Sequence, residues 1–233
     1  MRKALMLARR EIVEQYSDRA AIIRALFLAL LPIAILEISR RQGTRTADAG
    51  LVVFALQAAL LPAATAINAA AGSFAAEKEA QTIVPLLATP IRDFYIVAGK
   101  LIGVLVPAAI LSALSLSAFY AAASQAFGAA EVARVLGPIT MTKLFALSVF
   151  FILTIGAWVM VVSARAPTQR AAQQIAGLVL AGLVIAATAI GSLVQSIRTE
   201  LLVGVIIAVA LSDLGALELA RRLWNREEAV ARL

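Results

Sequence analysis

Long apolar stretches recur along this chain with only short polar segments between them, and lipid is the solvent that suits such a pattern. A run of about 20 apolar residues is enough to cross the hydrocarbon core of a bilayer as a helix. Six such runs fit the sequence: about Ala21 to Ser39, Gly50 to Phe74, Phe94 to Ala122, Met141 to Ser163, Ala171 to Gln195 and Leu201 to Ala220. Within lipid every backbone amide must find a partner inside its own segment, which makes these runs helices. The expected fold is therefore all-α: a polytopic membrane bundle of six spans forming one domain over residues 1–233. The composition agrees, with 62% hydrophobic residues and a mean hydropathy of +0.92, where soluble domains sit near one half apolar.

Residues 1–19 precede the first span as an amphipathic stretch. Met1, Leu5, Ala8, Ile12 and Tyr16 recur at helical spacing, whereas Arg2, Arg9, Arg10, Glu14 and Asp18 are polar. This pattern predicts a short helix lying along the membrane interface. The acids among the bases, and the lack of a short apolar core with a small-residue cleavage site, speak against a signal peptide. Six spans place both termini on one side. With that side taken as the cytoplasm, 15 of the 21 Lys and Arg residues fall inside, which favours an N-in, C-in orientation. The net charge of +7 then reads as cytoplasmic loops facing anionic lipid, not as a nucleic-acid surface. Prolines 32, 62 and 107 lie inside spans and predict kinks, because neighbouring groups can satisfy the carbonyls they free.

The polar segment between the second and third spans, residues 76–93, carries its own structural signals. Thr82 is a good N-cap, and Pro85 is tolerated in the first turn that follows. Pro90 disfavours helix at Thr89. A short helix over about Ile83–Ala88 is expected, presenting Ile83, Leu86 and Leu87 as an apolar knob beside Glu77, Glu79 and Arg92. The plainer alternative is a polar loop tucked against the bilayer.

This block, Ala76-Glu77-Lys78-Glu79-Ala80-Gln81-Thr82 through Leu86-Leu87-Ala88-Thr89-Pro90-Ile91-Arg92 and on to Gly99-Lys100, resembles the cytoplasmic loop of ABC-2 type permeases. Those are the membrane subunits of one class of ABC exporters. Gln81 and Val84 depart from the family pattern, which often has Gly and an acid there. The resemblance implies a coupling helix on which a separate ATPase subunit acts, with contacts at Glu77, Glu79, Thr82, Ile83, Leu86, Leu87, Thr89 and Arg92. The connection Ser163–Gln174 resembles the family's second inner loop and implies a further contact at Arg165. An amphipathic helix ahead of the first span is also a family trait. The resemblance further implies two ATPase copies, a second permease subunit (the same or homologous), export, and a bacterial cytoplasmic (inner) membrane location. ATP and Mg would be bound by the partner. The Gly99-Lys100 pair lacks the preceding Gly and following Ser/Thr of a phosphate loop, so no cofactor is expected on this chain.

Polar residues within the spans need partners or a cavity. Gln57, Thr65, Asn68 and Gly72 fall close to one face of the second span, and Gln173, Gly177, Ala181, Thr188 and Ser192 mark the fifth. Gln57, Thr65, Asn68, Gln173 and Thr188 are candidates for a translocation path; helix–helix adhesion is the equal alternative. The Gly99/Gly103 pair points to close helix packing. Lys100 and Asp213 lie at similar depths, and an intramembrane charge must be paired, so Lys100 is expected to pair with Asp213 or Glu218.

The chain has no Cys and no His, which removes disulfides, cysteine metal sites and the commonest general base. An intramembrane enzyme lacks its usual residues here, and no metal or catalytic site is expected. An ATP-independent channel or carrier remains the alternative from another class, although neither a selectivity ring nor an inverted repeat is evident. Haem-exporter membrane subunits share the six-span plan and a similar inner loop.

Overall fold

The computed structural model describes residues 2–17, 19–41, 48–80 and 93–178, with the single positions 181, 211 and 215. Every element among them is helical. The order is α1 (Arg2–Ser17), α2 (Arg19–Arg41), α3 (Asp48–Leu60), α4 (Ala63–Glu79), α5 (Asp93–Phe127), α6 (Ala129–Val135) and α7 (Pro138–Arg165). Residues 169–178 are helical again. Four stretches are long and apolar enough to cross a membrane: Arg19–Arg41, Gly50–Glu79, Tyr95–Phe127 and Pro138–Arg165. They match the first four expected spans. Of the fifth only 171–178 and 181, and of the sixth only 211 and 215, are among the described residues.

Neighbouring spans run in opposite directions. Asp48 at the start of α3 meets Arg134 in α6, Glu79 at the end of α4 meets Gln169 beyond α7, and Lys100 near the start of α5 meets Glu11 in α1. The bundle thus has an α1 end, where α4 leaves towards residue 80 and α5 begins, and an α6 end.

Three features differ from the sequence expectation. The second span continues as helix to Glu79, so Glu77 and Glu79 belong to its last turns and not to a loop. Ala-rich sequence with no proline between Ala63 and Glu79 explains this. At Pro62 the span breaks instead of merely kinking: Leu61 and Pro62 stand outside the two helices. Pro62 has no amide hydrogen to offer the preceding turn, and the ladder resumes with Ala64 and Thr65 N–H donating to the Leu61 and Pro62 carbonyls at 3.0 Å each. Finally, the short helix α6 was not expected. Gly128, with φ of 92°, makes the reversal into it, a conformation glycine adopts without steric penalty.

Among the described residues the interior has two large apolar cores and a small third cluster of Ala25, Ala29 and Leu111 between α2 and α5. One lies toward the α1 end, with Ile67, Phe74, Ile96, Val104, Ile155 and Met160 among its members. The other lies toward the α6 end, built on Leu36, Leu56, Phe119, Val132, Leu136 and Leu144. The break at Leu61–Pro62 falls between them: α3 contributes to the second core and α4 to the first.

Candidate functional site

The segment 81–92 lies outside the described residues, and with it the expected contacts Thr82, Ile83, Leu86, Leu87, Thr89 and Arg92. The structure does describe the turns of α4 that lead into it, and these are bound on two sides by polar contacts.

On one side stands Lys100. Its side chain is 2% exposed, in a helix that is otherwise apolar at this level. An ammonium has three donors, and Lys100 Nζ uses all three: Glu11 Oε1 at 2.6 Å, Glu77 Oε1 at 2.8 Å and the Ser73 carbonyl at 2.7 Å. It also lies 5.2 Å from the centre of the Phe74 ring, within cation–π range. One charge therefore joins three helices, α1, α4 and α5. The pairing of Lys100 expected from its depth is met by other acids. Asp213 and Glu218 lie outside the described residues. Glu77, expected to face a partner, instead turns inward with its side chain 17% exposed. The physical reason is the same: a lysine this deep in an apolar helix must be neutralised locally.

Glu11 was not singled out in the sequence. It sits on the same face of α1 as Leu7 and the buried Ala8, which packs against α5 where Gly103 leaves room. A Cβ at Gly103 would come within 2.7 Å of Glu11 Cβ and 3.2 Å of the Ala8 carbonyl oxygen. The close packing expected of this glycine is therefore between α1 and α5.

On the other side of α4 stands the end of α7. Ser163 is fully buried, and its Oγ donates to the Ala71 carbonyl at 2.7 Å while accepting from the N–H groups of Phe74 at 3.2 Å and Ala75 at 3.0 Å. Ala71 and Ala75 are the pair that bond to each other in a regular helix, so the serine oxygen bridges α4's own ladder. Lys78 Nζ donates to the Ala164 carbonyl, and the Gln169 N–H donates to Glu79 Oε1 at 3.1 Å. The Gln169 amide also covers Gly72, where a Cβ would lie 3.1 Å from its Nε2. Glu79 and Arg165 are exposed. The last turns of α4 thus hold α1, α5, α7 and the connection beyond α7 together.

The candidate path residues differ in exposure. Thr65 is buried and its hydroxyl donates to the Pro62 carbonyl at 2.7 Å, which serves the helix break. Asn68 is exposed, Gln57 and Gln173 are half-buried, and Thr188 lies outside the described residues. Among the described residues, no group of three or more acidic side chains is arranged to hold a metal ion.

No curated relative matches this sequence. A family model described as an ABC-2 family transporter protein matches residues 6–213, which takes in every helix described above apart from the first turn of α1. A multi-pass helical bundle matched over most of its length in this way belongs to the ABC-2 transporter family.

Proposed function

We propose that this chain is the transmembrane permease subunit of an ABC exporter, and that a separate ATPase subunit drives it through residues 80–92. The supporting observation is the polar joint at the end of α4. The helix that enters the 80–92 segment is fastened to α1, α5, α7 and residues 163–170 by hydrogen bonds and ion pairs from Ser73, Glu77, Lys78 and Glu79. A push on the segment would therefore reach several helices at once. In this reading the chain itself is non-catalytic; ATP and Mg belong to the partner.

The α1 end faces the cytoplasm in this reading, giving N-in and C-in termini and a place in the bacterial cytoplasmic membrane. Leu86 and Leu87 supply the apolar knob, with Ile83, Thr82, Thr89, Arg92, the exposed Glu79 and the exposed Arg165 around it. Two ATPase copies and a second permease subunit, identical or homologous, complete the transporter. Alternation between inward- and outward-open states would use a bistable arrangement of helices. Gln57, Asn68, Gln173 and Thr188 remain candidates for the path at the seam between subunits.

The test is a mild-detergent purification of the native complex, with and without Leu86→Asp/Leu87→Asp, followed by an ATPase assay. A co-purifying ATPase that is lost from the double variant is the expected result. A clean, folded chain with no nucleotide-binding partner would overturn the reading in favour of an ATP-independent channel or carrier.

A further inference from the structure

Between the two apolar cores lies a level at which all four described spans are tied by serine hydroxyls. On α5, Ser112 Oγ donates to the Ala59 carbonyl of α3 at 2.7 Å and lies 2.8 Å from Ser148 Oγ of α7. One turn further, Ser115 Oγ donates to the Ala29 carbonyl of α2 at 2.7 Å. Ser112, Ser115 and Ser148 are buried to within 2%. Each hydroxyl has one proton. That of Ser112 goes to Ala59, so the proton of Ser148 is left to serve Ser112 Oγ or the Phe145 carbonyl, 2.7 Å away.

The two carbonyls have a common origin. Ala29 and Ala59 each stand three residues before a proline, Pro32 and Pro62. A proline inside a helix removes the ladder bond to the carbonyl four residues before it, here Leu28 and Ala58, and its ring pushes that turn open; Ala29 and Ala59 are the next carbonyls in the same opened turn, within reach of a donor from a neighbouring helix. In lipid such groups must be satisfied by a neighbour, and α5 supplies a serine to each. The third internal proline, Pro107, lies in α5 five residues before Ser112. Prolines in α2, the α3–α4 span and α5 therefore all fall beside this belt, while α7 carries a proline only at its first position, Pro138, and passes the belt as a continuous helix pinned at Ser148.

We propose that this serine belt is the pivot of the subunit. Ser112 and Ser115 are positioning residues that hold the weakened turns of α2 and α3 against α5, so that the α1 half and the α6 half move against each other as two bodies about a fixed level. The inference rests on the ATP-driven reading above for the source of the motion, but not for the belt itself.

Two measurements test it. The chain has no cysteine, so spin labels can be placed at will on exposed positions. In the complex with its ATPase, a label pair at Arg9→Cys and Ala133→Cys spans the belt, and a pair at Ile38→Cys and Ala133→Cys lies within the α6 half. Adding ATP and vanadate is expected to shift the spanning distance and leave the other unchanged. In Ser112→Ala/Ser115→Ala the spanning distance is expected to broaden and its shift to be lost. A spanning distance that stays fixed while the ATPase turns over would overturn the pivot, as would a double variant with the same sharp shift as the unsubstituted chain. The second measurement needs no ATPase: hydrogen exchange of the chain alone in lipid nanodiscs. Losing one hydrogen bond at each proline turn is expected to speed exchange at the amides of Ile33, Ala63, Ala64 and Thr65 roughly three- to ten-fold. Unchanged exchange at these amides would overturn the belt whatever drives the subunit, whereas failure to recover an ATPase would count against the permease reading alone.

Discussion

The two ends of the bundle are held together by different means. At the α6 end, packing is apolar, and the charges stay at the surface. Arg134 bonds Asp48 and Glu131 at 3.2 Å with all three side chains more than half exposed, and Glu37 pairs with Arg40 and Arg41 along one exposed face of α2. At the α1 end, ions and hydroxyls are taken out of solvent: Lys100 with Glu11 and Glu77, and Ser163 across the ladder of α4. Exposed pairs contribute little, since water and salt screen them. A buried charge must keep its partners or be expelled, because desolvating it alone costs several kcal/mol. The difference teaches that the α6 end is held by packing that tolerates substitution, while the α1 end depends on a polar geometry it must keep. That rigid geometry lies where α4 runs out toward residues 80–92.

The sharpest way to break this contrast is Lys100→Met. It strands two carboxylates in a buried site, and the expected loss is about 3–5 kcal/mol, read by equilibrium unfolding in mixed micelles. Replacing all three members by apolar residues (Lys100→Met, Glu11→Leu, Glu77→Leu) should recover most of that loss, since a buried triad can give way to packed side chains. If Lys100→Met unfolds like the parent, the triad is not holding the α1 end together. Next comes Gly103→Ala, which drives a methyl group into Glu11 and the α1 backbone; a loss of about 1–3 kcal/mol is expected, with α1 becoming more accessible to protease. Ser163→Ala should cost less, about 1 kcal/mol, because the Ala71 carbonyl and Ala75 N–H are ladder partners within α4 and only the tie to α7 disappears. Smallest of all, Arg134→Ala at the α6 end should change stability by about 0–1 kcal/mol, and by less in high salt. A large effect there, measured in the same micelle assay, would erase the distinction between the two ends.

Much of the fold was legible in the sequence because apolar run length fixes spans. The four described spans fall where the runs place them, and α1 forms over the stretch whose apolar residues repeat at helical spacing. The need of Lys100 for a partner was equally legible. Which acid would meet it was not: Glu11 is 89 residues away in sequence, in a helix whose buried face mixes Leu7 and Ala8 with a carboxylate, and apolar periodicity alone does not say which way that face turns. The extension of α4 through Glu77 and Glu79 is not legible in the sequence, because charge ordinarily marks the end of a span, whereas alanine keeps this helix going. The bonds of Ser112, Ser115 and Ser148 were not legible because a serine in an apolar run carries little signal by itself, and Ser163 was legible only as the start of the second inner loop. For Ser112 and Ser115 the clue lay in other helices, in the carbonyls three residues ahead of Pro32 and Pro62. The sequence motifs of 81–92 fall outside the described residues, so their part in the account rests on the segment's own chemistry and on the family to which the chain belongs.

The central claim is that the α1 end moves as one body when the ATPase acts. It is tested most directly by one distance in the purified complex, between spin labels at Arg9→Cys on α1 and Arg170→Cys beyond α7, recorded without nucleotide and again with ATP and vanadate in a preparation shown to hydrolyse ATP. The account predicts a single narrow distance that is the same in both states. A distance that shifts or splits when nucleotide binds would show α1 parting from the α4–α7 joint, and would contradict it.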